Sequence, residues 1–163
     1  MQKTLLISGF MSLIGVGLIP GNEDEYCIPI EIEEYQVKTI DKEIHANRLI
    51  EALIQVESNG KEDCVGDKHL IIPSIGVLQI RPIMVREVNR ILKRQGKDKR
   101  YKNKDRYSRV KSIEMFIIWR DFHHKDHDNE IIARCWNGGP KGWKRKATLH
   151  YWNKVQKALK KIE

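Results

Sequence analysis

Apolar residues recur at helical spacing in five stretches of the chain. The first stretch follows Asp41, a residue type that caps helices, and places apolar side chains at Ala46, Leu49, Ile50, Leu53 and Ile54. Steps of three and four residues bring these side chains onto one face of a helix. Asn59 and Gly60 are expected to end it, because both residue types favour helix termination.

Four further helices are predicted from the same kind of pattern. Their expected starts are Pro82, Ser108, Asn129 and a last helix capped by Thr148. No segment alternates strongly enough to predict a strand, although the turn-forming residues of the stretch 60–80 indicate a small hairpin: Gly66, Asp67 and Gly76. The pattern therefore predicts a mainly α fold with at most a small β-hairpin.

The beginning of the chain has the features of an export signal. Residues 5–19 form an uncharged apolar run behind Lys3, and Pro20 follows it. This predicts a secretory signal peptide at residues 1–17, with cleavage as late as about residue 21. The run is shorter than the ~20 apolar residues of a spanning helix, so no permanent membrane span is expected. Residues 18–40 are then a linker or N-terminal arm, and 41–163 one domain of the exported protein, in the periplasm or cell envelope.

Export changes how the three cysteines are interpreted, because an oxidising compartment permits disulfides. Cys64 and Cys135 are candidates for a pair, and the alternative is that both are free thiols or small buried side chains. Cys27 lies soon after the signal, but Asp24 and Glu25 before it are unlike the small residues of a lipidation signal. Lipidation is therefore not expected.

The chain of 163 residues has a formal net charge of +8. Such a balance favours an anionic partner, and an exported protein meets acidic wall polymers and lipid head groups before it meets nucleic acid. The basic charge is densest between Lys97 and Arg106, which is predicted to be a loop. We expect no nucleic-acid partner.

Glu57 is the next position on the apolar face of the first helix. A carboxyl group that faces a core has its pKa raised, because desolvation disfavours the charged form, and such a group can act as a general acid near neutral pH. The alternative is a structural glutamate at a helix end, paired with a lysine or arginine. Position on the helix does not decide between the two.

Four short motifs follow one another in an informative order: E57-S-N-G, G76-V-L-Q-I80, A133-R-C-W-N-G-G139 and a late Tyr151. In this order they resemble the lytic transglycosylases with a soluble-transglycosylase catalytic domain, which are relatives of goose-type lysozyme. The resemblance covers roughly Glu43 to Lys157. It implies an α+β lysozyme-like fold with the hairpin beside an active-site cleft.

The resemblance also implies roles for six residues. Glu57 would be the catalytic acid and base, with Ser58 orienting it, while the substrate would be bound by Gln79, Trp136, Asn137 and Tyr151. Asn137 would bond the acetamido sugar, and the Tyr151 hydroxyl would approach Glu57 across the cleft. Trp136 departs from the family, which usually has tyrosine there.

The implied function is a peptidoglycan lytic transglycosylase, a lyase that cuts the bond between N-acetylmuramic acid and N-acetylglucosamine and leaves 1,6-anhydromuramic ends. The expected partners are peptidoglycan glycan strands, and cell-envelope, secretion, conjugation or phage machinery is a further candidate. One rival is a hydrolytic lysozyme, a glycosidase using Asp63 or Asp67 as second carboxylate. Another is a noncatalytic basic module that binds wall polymer or nucleic acid through the loop Lys97–Arg106 and the lysines of the C-terminus.

Neither a metal nor an organic cofactor is expected. His123 and His127 stand one helical turn apart, as in some zinc sites, but no third ligand is evident beside them. A solvated helix end is the preferred interpretation of these histidines.

Overall fold

The computed structural model describes residues 48–162, and five α-helices account for more than half of these residues. The first helix, α1, is described from residue 48 to 58. The others are α2 (Pro82–Arg94), α3 (Arg109–His123), α4 (Asn129–Gly138) and α5 (Ala147–Ile162). The prediction of a mainly α fold is confirmed. The predicted signal peptide, the linker, Cys27 and the expected start of α1 at Asp41 lie outside the described residues.

Three of the four helix starts that the structure describes lie at the predicted positions, and the start of α5 does not. Pro82 is the first residue of α2, the Ser108 hydroxyl accepts a hydrogen bond from the amide of Lys111, and the Asp128 carboxylate caps α4. The prediction that Thr148 caps α5 is wrong, because the helix already begins at Ala147. The buried Thr148 hydroxyl instead donates to the carbonyls of the preceding turn.

One apolar core joins the helices. It takes residues from all five helices and from the segment that precedes α2, and its most completely buried large side chains include Leu53, Leu78, Val88, Phe116 and Val155. Packing of this kind supplies most of the stability of amphipathic helices, which are marginal alone. The core therefore fixes α1 against the loop that follows it, and α5 against both.

The segment between α1 and α2 is a compact loop with a trace of sheet. Antiparallel bridges join Val65 to Ile75 and Ile75 to Ile80. They are the only bridges outside named strands in residues 48–162, so the expected hairpin is present only in this reduced form. Gly76 turns the chain with φ +81°, in the region that side chains rarely adopt.

The basic segment 97–106 was predicted to be a loop, and contacts with the rest of the protein anchor it. Tyr101 is buried, and its amide and carbonyl bond to the side chain of Asn89 on α2. The segment ends in a 3₁₀ turn, Asn103–Tyr107, and the buried Arg106 guanidinium donates to the carbonyls of Pro73 and Ile80 at 3.1 and 3.0 Å. Arg106 thus ties this segment to two points of the loop between α1 and α2.

No disulfide joins Cys64 to Cys135, and both are free thiols. Cys135 is buried in the core, where it acts as a small apolar side chain. Within residues 48–162, no helix is long and apolar enough to cross a membrane.

Candidate functional site

Glu57 and Tyr151 meet in the interior of the molecule, although 94 residues separate them. The Tyr151 hydroxyl donates a hydrogen bond of 2.7 Å to Oε1 of Glu57. Glu57 is in the last turn of α1 and Tyr151 in the second turn of α5, so the packing of these helices brings the groups together. Burial, and then the nearby carboxylate, raises the pKa of Tyr151 well above its usual range, so its hydroxyl remains a donor.

The carboxyl group of Glu57 titrates near neutral pH, well above the usual range of a glutamate. Burial raises its pKa from 4.5 to about 7, against the lowering effect of the Tyr151 hydrogen bond. The negative charge of Asp67 contributes to this rise, and the positive charge of Lys154 opposes it. A carboxyl group in this state can donate or accept a hydrogen bond near pH 7.

Glu57 lines a polar cavity of about 440 Å³. The other residues that line it are Gly66, Asp67, Ser74, Gln79, Ile80, Arg81, Met84, Trp136 and Asn137. Four of the six residues that the resemblance implicates therefore line one cavity, and a fifth, Tyr151, contacts Glu57. A cavity of this size with several converging polar groups is typical of a small-molecule or saccharide site.

Ser58 and Gln79 mainly hold the loop together. The buried Ser58 hydroxyl donates to the carbonyl of Val77 at 2.9 Å, and it makes no hydrogen bond to Glu57. The Gln79 amide donates to the carbonyls of Cys64 and Gly76, and its oxygen accepts from Ser74. Because these groups are occupied, the geometry gives both residues a positioning role.

Trp136 and Asn137 provide the wall opposite the loop. The Trp136 ring packs edge-on against Phe116 and Trp119, at centroid distances of 5.0 and 5.1 Å. Such contacts hold an indole in one orientation. Asn137 is the next residue on α4 and is exposed, so its amide is available to a ligand in the cavity.

A second cavity, of about 800 Å³, continues from the first. The two share four lining residues: Arg81, Met84, Trp136 and Asn137. The second is mostly apolar and has the indoles of Trp119 and Trp143 in its walls. Together the cavities form one cleft that is polar at Glu57 and aromatic at its other end.

The histidines that suggested a zinc site line this aromatic end. His123 contacts the carboxylate of Glu87 at 2.8 Å, while His124 and His127 face each other at 3.1 Å between their Nδ1 atoms. The pKa of His124 is lowered to about 4, mainly by burial and in smaller part by the charges of His127 and His123. Within residues 48–162, no group of three or more metal-ligating side chains is assembled.

The two aspartates considered as a second carboxylate differ in position. Asp67 lines the polar cavity and accepts a hydrogen bond from Ser74 at 3.2 Å, whereas Asp63 does not line it. No sequence pattern identified Ser74, Arg81 or Met84 as residues of the cleft. The nearest hint is that Arg81 and Met84 flank the predicted helix start at Pro82.

The described residues form a mainly helical protein with a cleft around a buried glutamate of raised pKa. No protein-family model matches the chain, and no curated protein matches it. A solved structure does match: Aeromonas hydrophila PliI in complex with Meretrix lusoria lysozyme. The TM-score is 0.56 at 22% identity, over 68% of this chain and 87% of the matched chain. That structure holds two different proteins, and a likeness at this identity concerns the fold alone.

This finding contradicts the family and the activity that were predicted from the motifs. The match is to a complex of PliI with a lysozyme and not to a lytic transglycosylase. Assignment to that family is therefore withdrawn, together with the lyase, glycosidase and hydrolytic lysozyme activities predicted for the chain. The structure shows a physical reason why the motifs mislead: Ser58 and Gln79, which belong to two of them, are bonded to loop carbonyls and build the turn.

Proposed function

We propose that the chain binds the glycan strands of peptidoglycan in the cleft between Glu57 and Trp143. The observation that carries the proposal is the juxtaposition, in one cleft, of polar groups around Glu57 and indole rings beyond Trp136. Sugar rings present hydroxyl and amide groups at their edges and apolar C–H groups on their faces. A cleft with both kinds of wall fits them.

The protonated Glu57 supports this role, since its carboxyl group can donate a hydrogen bond to a ligand oxygen while accepting one from Tyr151. The amide of Asn137 can pair with the acetamido group of an N-acetylated sugar. The net charge of +8 favours the approach of an anionic polymer, and strands that carry acidic stem peptides are of this kind. The apolar run at residues 5–19 supports export to the envelope where such strands occur.

Co-sedimentation with purified, insoluble peptidoglycan tests the proposal. The chain should pellet with the polymer, and Trp136→Ala should pellet about tenfold less readily because it removes the shared wall of both cavities. Trp152→Ala is the matched control, since that tryptophan packs against the core but lines neither cavity. Equal pelleting of all three proteins would show that the cleft is not the binding site. Mass spectrometry of the supernatant would reveal any glycan fragments released by cleavage.

The state of Glu57 gives the binding a pH dependence. Below a pKa of about 7 the carboxyl group is a donor, and above it the donor is lost. Affinity for the glycan should therefore fall about fivefold between pH 6 and pH 8.5. Glu57→Gln, whose amide donates at every pH, should bind with little pH dependence. An affinity that does not change with pH in the unmodified chain would remove Glu57 from the contact.

The matched complex favours a second candidate, in which the chain binds a lysozyme. Its support is the likeness of fold to a structure in which PliI is in complex with lysozyme. Size-exclusion chromatography of the chain mixed with an equimolar lysozyme, together with the rate of wall lysis, distinguishes the candidates. A shared peak and slower lysis would favour lysozyme binding. Separate peaks and an unchanged rate of lysis would exclude it and favour glycan binding in the cleft.

A further inference from the structure

The tip of the loop between α1 and α2 exposes an apolar surface that is independent of the cleft. Ile71 is fully exposed and Ile72 is half exposed, with Leu70 and Pro73 beside them. Adjacent exposed isoleucines are unusual on a soluble surface, and they mark interaction sites when the backbone presents them in a fixed way.

The base of this tip is well anchored, so the exposure is a feature of the fold. The amide of Gly66 donates to the carbonyl of Ser74 at 3.0 Å, and the amide of Leu70 to that of Asp67 at 2.8 Å. Arg106 binds the carbonyl of Pro73 from the other side. The two isoleucines are therefore held out from the body of the molecule.

The apolar tip is joined through Arg106 to a basic segment of the chain. Arg106, which contacts Pro73, ends the segment 97–106, where six lysines and arginines stand against two aspartates. Lys102 and Lys104 in that segment are exposed, as is the Tyr107 ring that follows it. Lys68 is exposed in the tip itself. An apolar tip, an interfacial aromatic ring and flanking lysines are the combination that anionic lipid surfaces attract.

We propose that the loop tip 68–73 and the adjoining basic segment form a peripheral docking site for an anionic lipid surface. The isoleucines would insert among the acyl chains near the head groups, while the lysines neutralise the lipid phosphates. The proposal does not depend on what the cleft binds. A docked molecule would hold its cleft, of which Asp67 and Ser74 are part, beside the membrane.

Hydrogen–deuterium exchange of the full chain on lipid vesicles tests the proposal. Vesicles of phosphatidylglycerol and phosphatidylcholine in equal parts should slow exchange at the amides of residues 68–72, and pure phosphatidylcholine should not. Ile71→Asp should abolish the slowing without unfolding the protein, because the side chain is fully exposed. The matched control is Leu149→Asp, the same change at an exposed leucine of α5, which should retain it.

Three results would overturn the proposal. The first is unchanged exchange at the tip although the chain sediments with the vesicles, which would place membrane binding in the apolar run at residues 5–19. The second is equal slowing on both kinds of vesicle, because lipid charge would then have no part. The third is slowing without vesicles that increases with protein concentration, which would indicate a second copy of the chain as the occupant.

Discussion

Glu57 lies between an apolar helix face and the hydroxyl of Tyr151, and these two surroundings act on it in opposite directions. Burial raises its pKa, the hydrogen bond lowers it, and the result of about 7 places its titration near neutral pH. A group of this kind makes stability depend on pH, because the folded and unfolded chains bind different numbers of protons. The raised pKa also leaves the carboxyl group a proton that it can donate in a hydrogen bond to a ligand.

Replacing Glu57 by glutamine should stabilise the fold at alkaline pH. The folded pKa of about 7 exceeds the unfolded value of 4.5, so the stability present below pH 4.5 is lost as pH rises to 7. Allowing for partial exposure of the side chain, the loss is about 2 kcal/mol. Glu57→Gln should therefore gain about 2 kcal/mol over the unmodified chain at pH 8 and little at pH 4.5. Urea denaturation at both pH values measures this, with the exposed Glu62→Gln as control. An equal gain at the two pH values would contradict the assigned state of Glu57.

At the scale of elements, helices were predictable where a local signal decides their ends. Pro82 at the start of α2 and Ser108 before α3 act through their own backbone or side chain, so the sequence predicts both helix starts. Thr148 was wrongly predicted to cap α5, because its hydroxyl donates to carbonyls of the preceding turn and not to the helix. The position of Glu57 on its helix was predictable from periodicity. Its contact with Tyr151 was implied only by resemblance, since it depends on how α1 and α5 pack.

The conformation of the loop between α1 and α2 could not be predicted from local signals, because the loop has almost no regular secondary structure. Its shape depends on contacts with residues far along the chain, such as the two hydrogen bonds from Arg106. The residues Ser74 and Arg81 enter the cleft only through this shape. Periodicity carries no information about such contacts.

Gly76 is the position of the loop where a side chain should be least tolerated. Its φ of +81° disfavours any other residue, and a Cβ there would collide with the carbonyl oxygen of Arg106. Gly76→Ala should cost about 3 kcal/mol or more of unfolding free energy. Gly96→Ala is the matched control, because that glycine also has positive φ but open space around it, and it should cost about 1 kcal/mol. Similar costs for the two variants, in thermal or urea unfolding, would show that the contact with Arg106 is not tight.

At the scale of the whole molecule, two buried groups have opposite effects on stability. Glu57 has a raised pKa and destabilises the fold as pH rises from 4.5 to about 7. His124 has a pKa lowered to about 4, mainly by burial, and destabilises the fold as pH falls from 6.5 to 4. Between pH 4.5 and 6.5 the two contributions offset each other.

Because of this offset, the unfolding free energy of each single variant should depend on pH more steeply than that of the unmodified chain. Between pH 4.5 and 6.5, Glu57→Gln should become more stable as pH rises, because the contribution of His124 is then no longer offset by that of Glu57. His124→Phe should become less stable as pH rises, because the contribution of Glu57 is then no longer offset. Each slope should amount to about 2 kcal/mol across the window after discounting for solvent exposure. Urea denaturation at four pH values measures the slopes, and the same sign in both variants would refute the offset.

Titration calorimetry with defined soluble sugars is the measurement that tests the central claim most directly. A tetramer of N-acetylglucosamine should bind at one site per chain, and the glucose tetramer, which lacks the acetamido groups, about tenfold more weakly. Trp136→Ala should lose most of the affinity for the N-acetylated tetramer, while Trp152→Ala keeps it. Absence of binding heat with the N-acetylated tetramer, or equal affinity for the two sugars, would contradict the assignment of the cleft to an N-acetylated glycan.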